Sequence, residues 1–531
     1  MIKFSSYISL LIALFIIITG FYSVWNLDKI NDIYWADEGL YLYNGRIMFE
    51  QKTDPVWSPV YSLWYFILSK FQPDPIKLYH LNFKILIVAT ALSLFWFLSR
   101  TNVSLFVNFS LSAMLLISYY NFTIWPKISN FTFVFILLGF SLIINIKDEQ
   151  RIIFISTLLS LFLSYIRPEF LFSFFLLFAV FLVQSLLNKS FLNKSKVKLV
   201  IIFILGFLTF ALLGLPYSTN RSFGAFSQHY SLVKSSEKGR YDINPWLETE
   251  KFISKDFGNS ESITEALFYN PKAFLNHISK TFLNYPKEAA KIYTELLFPK
   301  SLLRLSSSAR VFLLLMILLF LIYFLKVKKQ LKSYLISIVQ NYKANKRFYL
   351  VVVLFLLPLI MASLINYPRD HYLFIQYPLV ILLLLPVINS FRINKTWIER
   401  SAILILTIVV IVNLDNTNTF FQNKKTKLED EVRFIEQLNK GKTIKFLHRS
   451  SNLTYFLPLN FESIEFDEKI TPENLSDIIF NDMIYINNRF LSSPVIKNVN
   501  FDSLINHLAK ENYYIYTTPM NNTFLVKKTI N

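Results

Sequence analysis

Apolar segments long enough to cross a lipid bilayer recur along most of this chain. Most of them measure about 17–22 residues, and they continue as far as Leu414. An α-helix needs about 20 residues to span the hydrocarbon core. The sequence has 531 residues, of which 53% are hydrophobic, and Phe alone contributes 54. A water-soluble protein of this length would instead show two or more domains with alternating polar and apolar patterns. We therefore predict a polytopic α-helical membrane protein.

The apolar segments predict about eleven transmembrane helices. Each helix would satisfy its backbone hydrogen bonds internally, as a segment surrounded by lipid must. The predicted spans are Ser5–Val24, Tyr79–Leu98, Val103–Tyr119, Ile128–Ile146, Ile152–Tyr165, Phe170–Leu187, Leu199–Leu215, Arg310–Val327, Phe348–Ile365, Tyr372–Phe391 and Ser401–Leu414.

The distribution of Lys and Arg predicts the orientation of these spans. The formal net charge is +19, and the basic residues concentrate in alternate connections. By the positive-inside rule, those connections and the N-terminus with Lys3 are cytoplasmic. Nucleic acid is not an expected partner, because the positive charges lie in short loops between apolar spans. The cytoplasmic connections carry Arg100, Lys147, Arg151, Lys189–Lys198, Lys326–Arg347 and Arg392–Arg400.

The opposite face carries two long loops, Trp25–Leu78 and Pro216–Ala309, together with the C-terminal part of the chain. We expect residues 1–415 to form a transmembrane domain and residues 416–531 a small extramembrane α/β domain, because apolar runs there shorten to strand length. Low glycine with many Lys, Asn, Ile and Phe is typical of an AT-rich bacterium, so the membrane would be a bacterial inner (plasma) membrane. The C-terminal domain would then be exterior or periplasmic.

Several local elements are predicted within these exterior parts. Trp57–Phe66 reads as an amphipathic helix lying on the membrane, which makes the lipid bilayer itself a partner. Pro286–Phe298 has helical spacing and is a second candidate surface helix. The C-terminal strands are expected at Thr443–Leu447, Met483–Ile486 and Tyr513–Tyr516, with a helix at Phe501–Lys510.

The unusual polar residues all fall on the predicted outer face. These clusters are Asp37-Glu38, Arg167-Pro168-Glu169, Gln228-His229-Tyr230 and Arg369-Asp370-His371. Since the orientation was set by Lys and Arg alone, their coincidence on one side predicts a single site at the outer membrane interface.

The adjacent carboxylates Asp37 and Glu38 are the strongest candidates for chemistry. A carboxylate can take a proton from an acceptor hydroxyl as general base, or hold a divalent cation such as Mg or Mn on a phosphate. The alternatives are a solvated loop pair or the start of a helix, because Asp37 precedes Gly39 and a Leu/Tyr run.

Arginine is suited to bidentate recognition of phosphate, which makes Arg167 and Arg369 candidates for holding a phosphate group. Arg167 could instead pair with Glu169 to tighten a helix hairpin, or extend to lipid headgroups. His371 is either a proton donor or an interfacial residue, and Arg369 and His371 together are also typical of a charged turn. His229 is a candidate for a sugar pocket or a structural histidine.

The sequence lacks the motifs of several other classes of enzyme. The sequence contains no glycine-rich phosphate loop, no His-Glu-x-x-His and no Gly-x-Ser-x-Gly, and it has only 10 Gly. It contains no Cys, which excludes disulfides, thiolate catalysis and Cys-based metal sites.

The segment Ile33–Tyr65 resembles the first exterior loop of membrane glycosyltransferases of the GT-C superfamily, in the style of protein O-mannosyltransferases and aminoarabinose transferases. Those proteins carry Asp-Glu just after the first helix, a Tyr a few residues on, and a Pro-x-Tyr stretch in an interfacial helix. Here these features are Asp37-Glu38, Tyr41 and Pro59-Val60-Tyr61. Arg167-Pro168-Glu169 and Pro368–Tyr372 resemble later motifs of the same superfamily.

The resemblance implies an inverting transferase with a polyprenyl-phosphate-linked sugar donor and a cell-envelope lipid, polysaccharide or protein acceptor. Asp37 would be the general base and the exterior arginines would hold the lipid phosphate. Tyr41, Tyr61, Glu169, His229 and His371 are the expected substrate-binding residues. The chain differs from the family in Asp370-His371, which precede the Tyr of the late motif, and in the long loop Pro216–Ala309.

Two other functions share this topology. A transporter or flippase for a lipid-linked substrate would place ionisable residues within its spans, whereas these spans are nearly free of charge. A surface polysaccharide polymerase or ligase would usually show an arginine-rich exterior loop in place of Asp-Glu after the first span.

Overall fold

The computed structural model describes residues 2–34, 36–50, 54–187, 192–237, 249–299, 331–390, 396–420, 427–438, 443–448, 452–465, 481–486 and 513–528. Within these ranges the protein is mainly helical, with a small sheet near the C-terminus. The predicted span Arg310–Val327 and the predicted helix Phe501–Lys510 lie outside the described residues.

The helices and strands are numbered in chain order. The helices are α1 Ile2–Val24, α2 Leu27–Ile30, α3 Asp37–Arg46, α4 Pro59–Ser69, α5 Pro75–Ser99, α6 Leu105–Ile117, α7 Tyr119–Thr123, α8 Ile128–Ile143, α9 Glu149–Ser164, α10 Phe170–Leu187, α11 Leu192–Leu213, α12 Thr219–Glu237, α13 Glu250–Phe257, α14 Ile263–Tyr269, α15 Pro271–Leu297, α16 Leu331–Ala344, α17 Lys346–Ile365, α18 Asp370–Ser390, α19 Thr396–Phe420 and α20 Leu428–Gln437. The strands are β1 Ile444–His448, β2 Phe461–Glu465, β3 Met483–Ile486, β4 Tyr513–Thr517 and β5 Thr523–Lys527. Short 3₁₀ turns cover Pro55–Trp57 and Asn452–Phe456.

Each predicted span within the described residues overlaps one of these helices, although Val103–Tyr119 extends past α6 into α7 and Ile128–Ile146 extends past the end of α8. Four of the described helical segments are both long and apolar enough to cross a membrane, namely Tyr7–Lys29, Pro75–Ser99, Lys346–Ile365 and Asp370–Asn389. Shorter apolar helices cover Leu105–Ile117, Ile128–Ile143, Phe170–Leu186 and Val197–Leu213. The membrane class is thus supported, and the number of crossings stays a prediction.

The chain divides into two compact units. We call the first the helical unit; it contains Met1–Trp25, Lys52–Tyr61 and Lys84–Phe420. The second, the C-terminal unit, contains Asn26–Gln51, Ser62–Phe83 and Phe421–Asn531. The sequence places the boundary between the two domains at residue 415, whereas the structure adds two segments of the first predicted exterior loop to the C-terminal unit.

Aromatic side chains hold the helical unit together. Phe140 of α8 packs edge-on against Phe355 of α17 at 5.3 Å between ring centroids, and Phe133 of α8 lies 5.2 Å from Phe374 of α18. Rings bury a large area each and favour such offset or edge contacts. The abundance of Phe in the sequence therefore serves the packing of one helix on another.

The C-terminal unit contains a five-stranded sheet with strand order β2-β1-β3-β5-β4. β1 pairs in parallel with β2 and β3, and β5 pairs antiparallel with β3 and β4. The predicted strands at 443–447, 483–486 and 513–516 are confirmed as β1, β3 and β4. β2 and β5 were not predicted, because their runs Phe461–Glu465 and Thr523–Lys527 mix apolar and charged residues.

Polar contacts explain why segments from before α5 belong with the C-terminal residues. The Asp32 carboxylate accepts hydrogen bonds from the backbone N–H groups of Leu428 and Glu429, both at 2.9 Å, and so caps the start of α20. Arg433 of α20 donates two hydrogen bonds to Asp74, at 2.7 and 3.0 Å. Such bidentate pairs fix geometry as well as contributing energy.

The two predicted surface helices have different boundaries in the structure. Trp57–Phe66 is divided at Ser58 between the turn Pro55–Trp57 and α4. Ser58 has a φ of 54°, a left-handed conformation that ends the first turn before Pro59 begins α4. The second helix does not begin at Pro286, because that residue lies inside α15, which starts at Pro271.

We predict that Gly45→Ala destabilises the protein because α3 and α4 touch at this glycine. A Cβ at Gly45 would lie 2.5 Å from Tyr65 Cβ and 2.7 Å from the Ser62 carbonyl oxygen. Overpacking of this kind costs about 1–3 kcal/mol. The thermal unfolding midpoint of the detergent-purified protein should therefore fall.

Gly224→Ala is the matched control, because a Cβ there meets nothing within 4 Å. Ala is the better helix former by about 1 kcal/mol, so this midpoint should stay level or rise. Equal midpoints for the two variants would show that α3 and α4 do not approach closely at Gly45.

Candidate functional site

Arg167 lies in the short connection between α9 and α10 and is buried, with 8% of its surface exposed. Pro168 interrupts the helical hydrogen bonding there, which lets the chain turn from one apolar helix into the next. The guanidinium donates to Glu169 Oε1 at 2.9 Å and lies 5.2 Å from the ring centroid of Tyr372. The carboxylate and the ring fix the direction of this cation.

Arg369 and His371 lie at the turn from α17 into α18. The turn is held by α15, whose His277 Nε2 lies 3.0 Å from the carbonyl oxygens of both Ile365 and Asn366. The Thr281 hydroxyl donates to the Leu364 carbonyl at 2.6 Å. α15 therefore determines where the chain leaves α17 and where Arg369 is presented.

The structure brings three of the predicted clusters together within the helical unit. His371 is buried and lies within electrostatic range of Arg167, Arg369 and His229. Two guanidinium groups and two histidines thus surround one place in the fold, with Glu169 as the carboxylate bonded to Arg167. The guanidinium groups of this cationic cluster are suited to an anion such as phosphate.

His229 enters the cationic cluster from α12. Its Nδ1 lies 2.6 Å from the Ala225 carbonyl oxygen, and 3% of its surface is exposed. The pKa of His229 is lowered to about 4, mainly by burial, and the positive charge of Arg369 contributes in the same direction. The imidazole is therefore neutral at pH 7 and can act as a hydrogen-bonding group in the cluster.

A cavity of about 410 Å³ opens beside the cationic cluster. Arg369, Asp370 and His371 form one part of its wall, and Trp125 and Glu288 form another. The cavity therefore combines a cation, an aromatic ring and carboxylates, a combination that can bind a charged and hydroxylated ligand.

Two further basic residues of the helical unit make contacts that the sequence does not predict. The Arg221 guanidinium lies 3.9 Å from the ring centroid of Trp57, and it donates to the Val56 carbonyl. Lys127 is fully buried, and its ammonium group donates to the carbonyls of Asn121 and Phe122 at 2.8 and 3.0 Å. Isolated basic residues give no sequence signal for such contacts, because their partners are backbone carbonyls and a distant ring.

Asp37 and Glu38 belong to the C-terminal unit and have opposite environments. α3 begins at Asp37, although Ala36 and not Asp37 occupies its N-cap position, and Asp37 is exposed. Glu38 is fully buried, and its Oε1 accepts hydrogen bonds from the Tyr65 hydroxyl at 2.6 Å and Asn82 Nδ2 at 3.1 Å. Two adjacent carboxylates that look equivalent in the sequence therefore lie in different environments, one buried and one exposed.

The remaining predicted site residues are packed side chains. Tyr41 is buried in the C-terminal unit, and Tyr61 is fully buried in the helical unit with its ring 5.0 Å from Phe131. Their role in substrate binding stays a prediction. Among the residues that the structure describes, no group of three or more His, Asp or Glu is arranged to hold a metal ion. The divalent cation at Asp37 and Glu38 likewise stays a prediction.

We predict that His229 makes the stability of the protein depend on pH. Because its pKa is about 4 in the folded protein and near 6.5 ordinarily, the unfolded chain takes up the proton first. The stability is therefore fully present above about pH 6.5 and falls toward pH 4, by up to about 3 kcal/mol.

His229→Gln removes the titrating group, so its unfolding midpoint should fall less between pH 7 and pH 4.5 than that of the wild type. Thermal unfolding of both proteins across this range measures the difference. Parallel pH profiles would show that His229 is not buried in neutral form.

No protein-family model, curated protein or solved structure matches this chain.

Proposed function

We propose that this chain is an inverting membrane glycosyltransferase of the GT-C type. It transfers a sugar from a polyprenyl-phosphate-linked donor to a cell-envelope lipid, polysaccharide or protein acceptor. The observation that carries the proposal is the buried Arg167, oriented by Glu169 and Tyr372, beside Arg369 and a cavity of about 410 Å³.

The cationic cluster suits the phosphate of the donor. Removing an arginine from water is costly, so a buried guanidinium gains when an anion joins it. Arg167 is paired with Glu169, and Arg369 is the cation that lines the cavity, beside the carboxylates of Asp370 and Glu288. A departing lipid phosphate is an anion of this kind, and preorganised cations stabilise the charge that develops on it.

Asp37 is the general base in this proposal. Its carboxylate removes the proton from an acceptor hydroxyl as the oxygen forms a bond to the anomeric carbon. The bond between that carbon and the donor phosphate breaks, and the phosphate leaves with the electron pair. The exposure of Asp37 leaves it accessible to an acceptor. A divalent cation, Mg or Mn, on the phosphate remains part of the proposal.

The membrane placement follows from the apolar helices and the basic loops. The four apolar helical segments support membrane association, and we assign the chain to a bacterial inner membrane. The positive-inside rule assigns the N-terminus to the cytoplasm and the reaction to the outer face, with residues 416–531 exterior or periplasmic. A lipid-linked donor is a natural substrate there, because the membrane concentrates it beside the protein.

We predict that Asp37→Asn abolishes transfer and leaves the fold intact. Asn has the same shape but cannot accept the proton, and loss of a general base typically costs 10²–10⁴-fold in rate, roughly. Mass spectrometry of envelope glycolipids and glycoproteins from a deletion strain identifies the missing product. Complementation with the variant then measures transfer.

Asp430→Asn is the matched control, because Asp430 is also an exposed Asp in the first turn of a helix, α20. It should restore the product fully. Near-normal product with Asp37→Asn, at equal protein level, would remove Asp37 from the role of base.

We predict that Arg167→Ala weakens donor binding more than turnover. Losing a charge-assisted contact with phosphate costs about 1.5–3 kcal/mol, which is roughly 10- to 150-fold in affinity. Stabilisation of the purified protein by polyprenyl phosphate, read as the shift of the unfolding midpoint with concentration, measures the affinity.

The exposed Arg151 provides the control Arg151→Ala, which should bind polyprenyl phosphate as the wild type does. Removing Arg167 alone leaves the Glu169 carboxylate without its ion-pair partner, which could weaken phosphate binding by repulsion. The double variant Arg167→Ala/Glu169→Gln removes that negative charge as well. Unchanged apparent affinity in both Arg167 variants would exclude the phosphate role.

A further inference from the structure

Glu38 joins three helices of the C-terminal unit through one carboxylate oxygen. It is the second residue of α3, and its Oε1 accepts from the Tyr65 hydroxyl of α4 and from Asn82 Nδ2 of α5. All three side chains are fully buried. A buried carboxylate is stable only when charged or polar partners satisfy it, so these contacts are required by the burial itself.

Asn82 completes the network. Its Oδ1 accepts from Trp64 Nε1 at 2.8 Å, and its Nδ2 also donates to the Tyr65 oxygen at 2.8 Å. Asn82 is fully buried on α5, where an amide is costly unless its hydrogen bonds are made. These four side chains therefore supply hydrogen-bond partners to one another. We call Glu38, Tyr65, Asn82 and Trp64 the Glu38 network.

The Glu38 network lies at the first turn of α3, directly beside Asp37. Successive side chains of an α-helix point about 100° apart. When one side chain points toward the core, the preceding side chain therefore points in a different direction. Glu38 is inward and Asp37 is exposed. The other end of α3 is held separately, because Arg46 Nη1 donates to the Leu457 carbonyl at 2.9 Å. Loss of the Glu38 contacts would free only the first turn.

We propose that Glu38, with Tyr65 and Asn82, is a positioning residue that holds the first turn of α3 and fixes the direction of the Asp37 carboxylate. Glu38 then touches neither donor nor acceptor. The functional part of this inference rests on the proposed function, in which Asp37 is the base.

A spin label tests the positioning without any substrate. The chain has no Cys, so Asp37→Cys introduces a single site for a nitroxide label, and Asp430→Cys places a matched label on α20. Electron paramagnetic resonance of the full chain in detergent reports the mobility of each label. Glu38→Ala and Asn82→Leu should mobilise the label at position 37 and leave the label at 430 unchanged.

Glu38→Gln is the conservative rescue, because its amide oxygen can accept both hydrogen bonds now made to Oε1. It should keep the label at position 37 as immobile as in the otherwise native chain. Tyr65→Phe is the milder variant if Glu38→Ala does not fold, since it removes only the hydroxyl. An immobile label at 37 in Glu38→Ala, Asn82→Leu and Tyr65→Phe alike, or equal mobilisation at 37 and 430, would overturn the proposal.

Product formation in chains that retain Asp37 tests the functional half. Glu38→Ala should lower the product of the complementation assay by about tenfold or more, as expected for the loss of a buried hydrogen-bonded group, and Glu38→Gln should retain it. Product loss in Glu38→Gln equal to that in Glu38→Ala, with an immobile label at 37, would instead make Glu38 catalytic and overturn the proposal. If Asp37→Asn retains the product, the proposed function fails, and the label mobilities still decide whether Glu38 holds α3.

Discussion

The cost of burying polar groups among apolar helices is the constraint on which the rest of this structure depends. A helix in lipid or in a helical core has no water for its polar side chains, so each needs a partner within the protein. Gln376 of α18 donates to the Leu359 carbonyl at 3.1 Å and to the Ser363 hydroxyl at 2.8 Å, both on α17. Asn130 of α8 donates to Asn121 Oδ1 at 2.9 Å. Such pairs specify which helices adjoin, where apolar packing alone would allow several arrangements.

The same constraint governs the charges of the cationic cluster. Arg167 keeps its charge because Glu169 and Tyr372 compensate for lost water, whereas the burial of His229 lowers its pKa to about 4 and keeps it neutral. The cluster therefore gains its positive character from arginine, which does not lose its proton, and its neutral hydrogen-bonding groups from histidine. That division leaves the cluster able to hold an anion at neutral pH.

In the C-terminal unit, charged side chains hold together segments that are distant in sequence, as apolar packing holds helices together in the helical unit. Burial alone would raise the pKa of Asp74, but the hydrogen bonds from Arg433 lower it below its ordinary value, so the pair stays ionised. Glu431 of α20 is fully buried and accepts from the Tyr485 hydroxyl of β3 at 2.9 Å and from the backbone of Met520 at 3.0 Å. These contacts attach α20 both to the sheet and to the segments that precede α5.

The amino-acid sequence by itself determined the helices and their apolar character, since a run such as Phe170–Leu187 has no stable alternative to a helix in an apolar environment. It also determined strand β3 and placed Arg167 and Arg369 in connections between apolar helices. Tertiary structure alone decided that Glu38 is buried and Asp37 exposed, that Tyr61 packs on Phe131, and that residues 26–51 join the C-terminal unit. The physical reason is that the hydropathy of a segment depends only on its own residues, so a short stretch of sequence is enough to predict an apolar helix. The partners of Glu38, by contrast, lie 27 and 44 residues away, and only the packing of α3, α4 and α5 brings them within hydrogen-bonding distance.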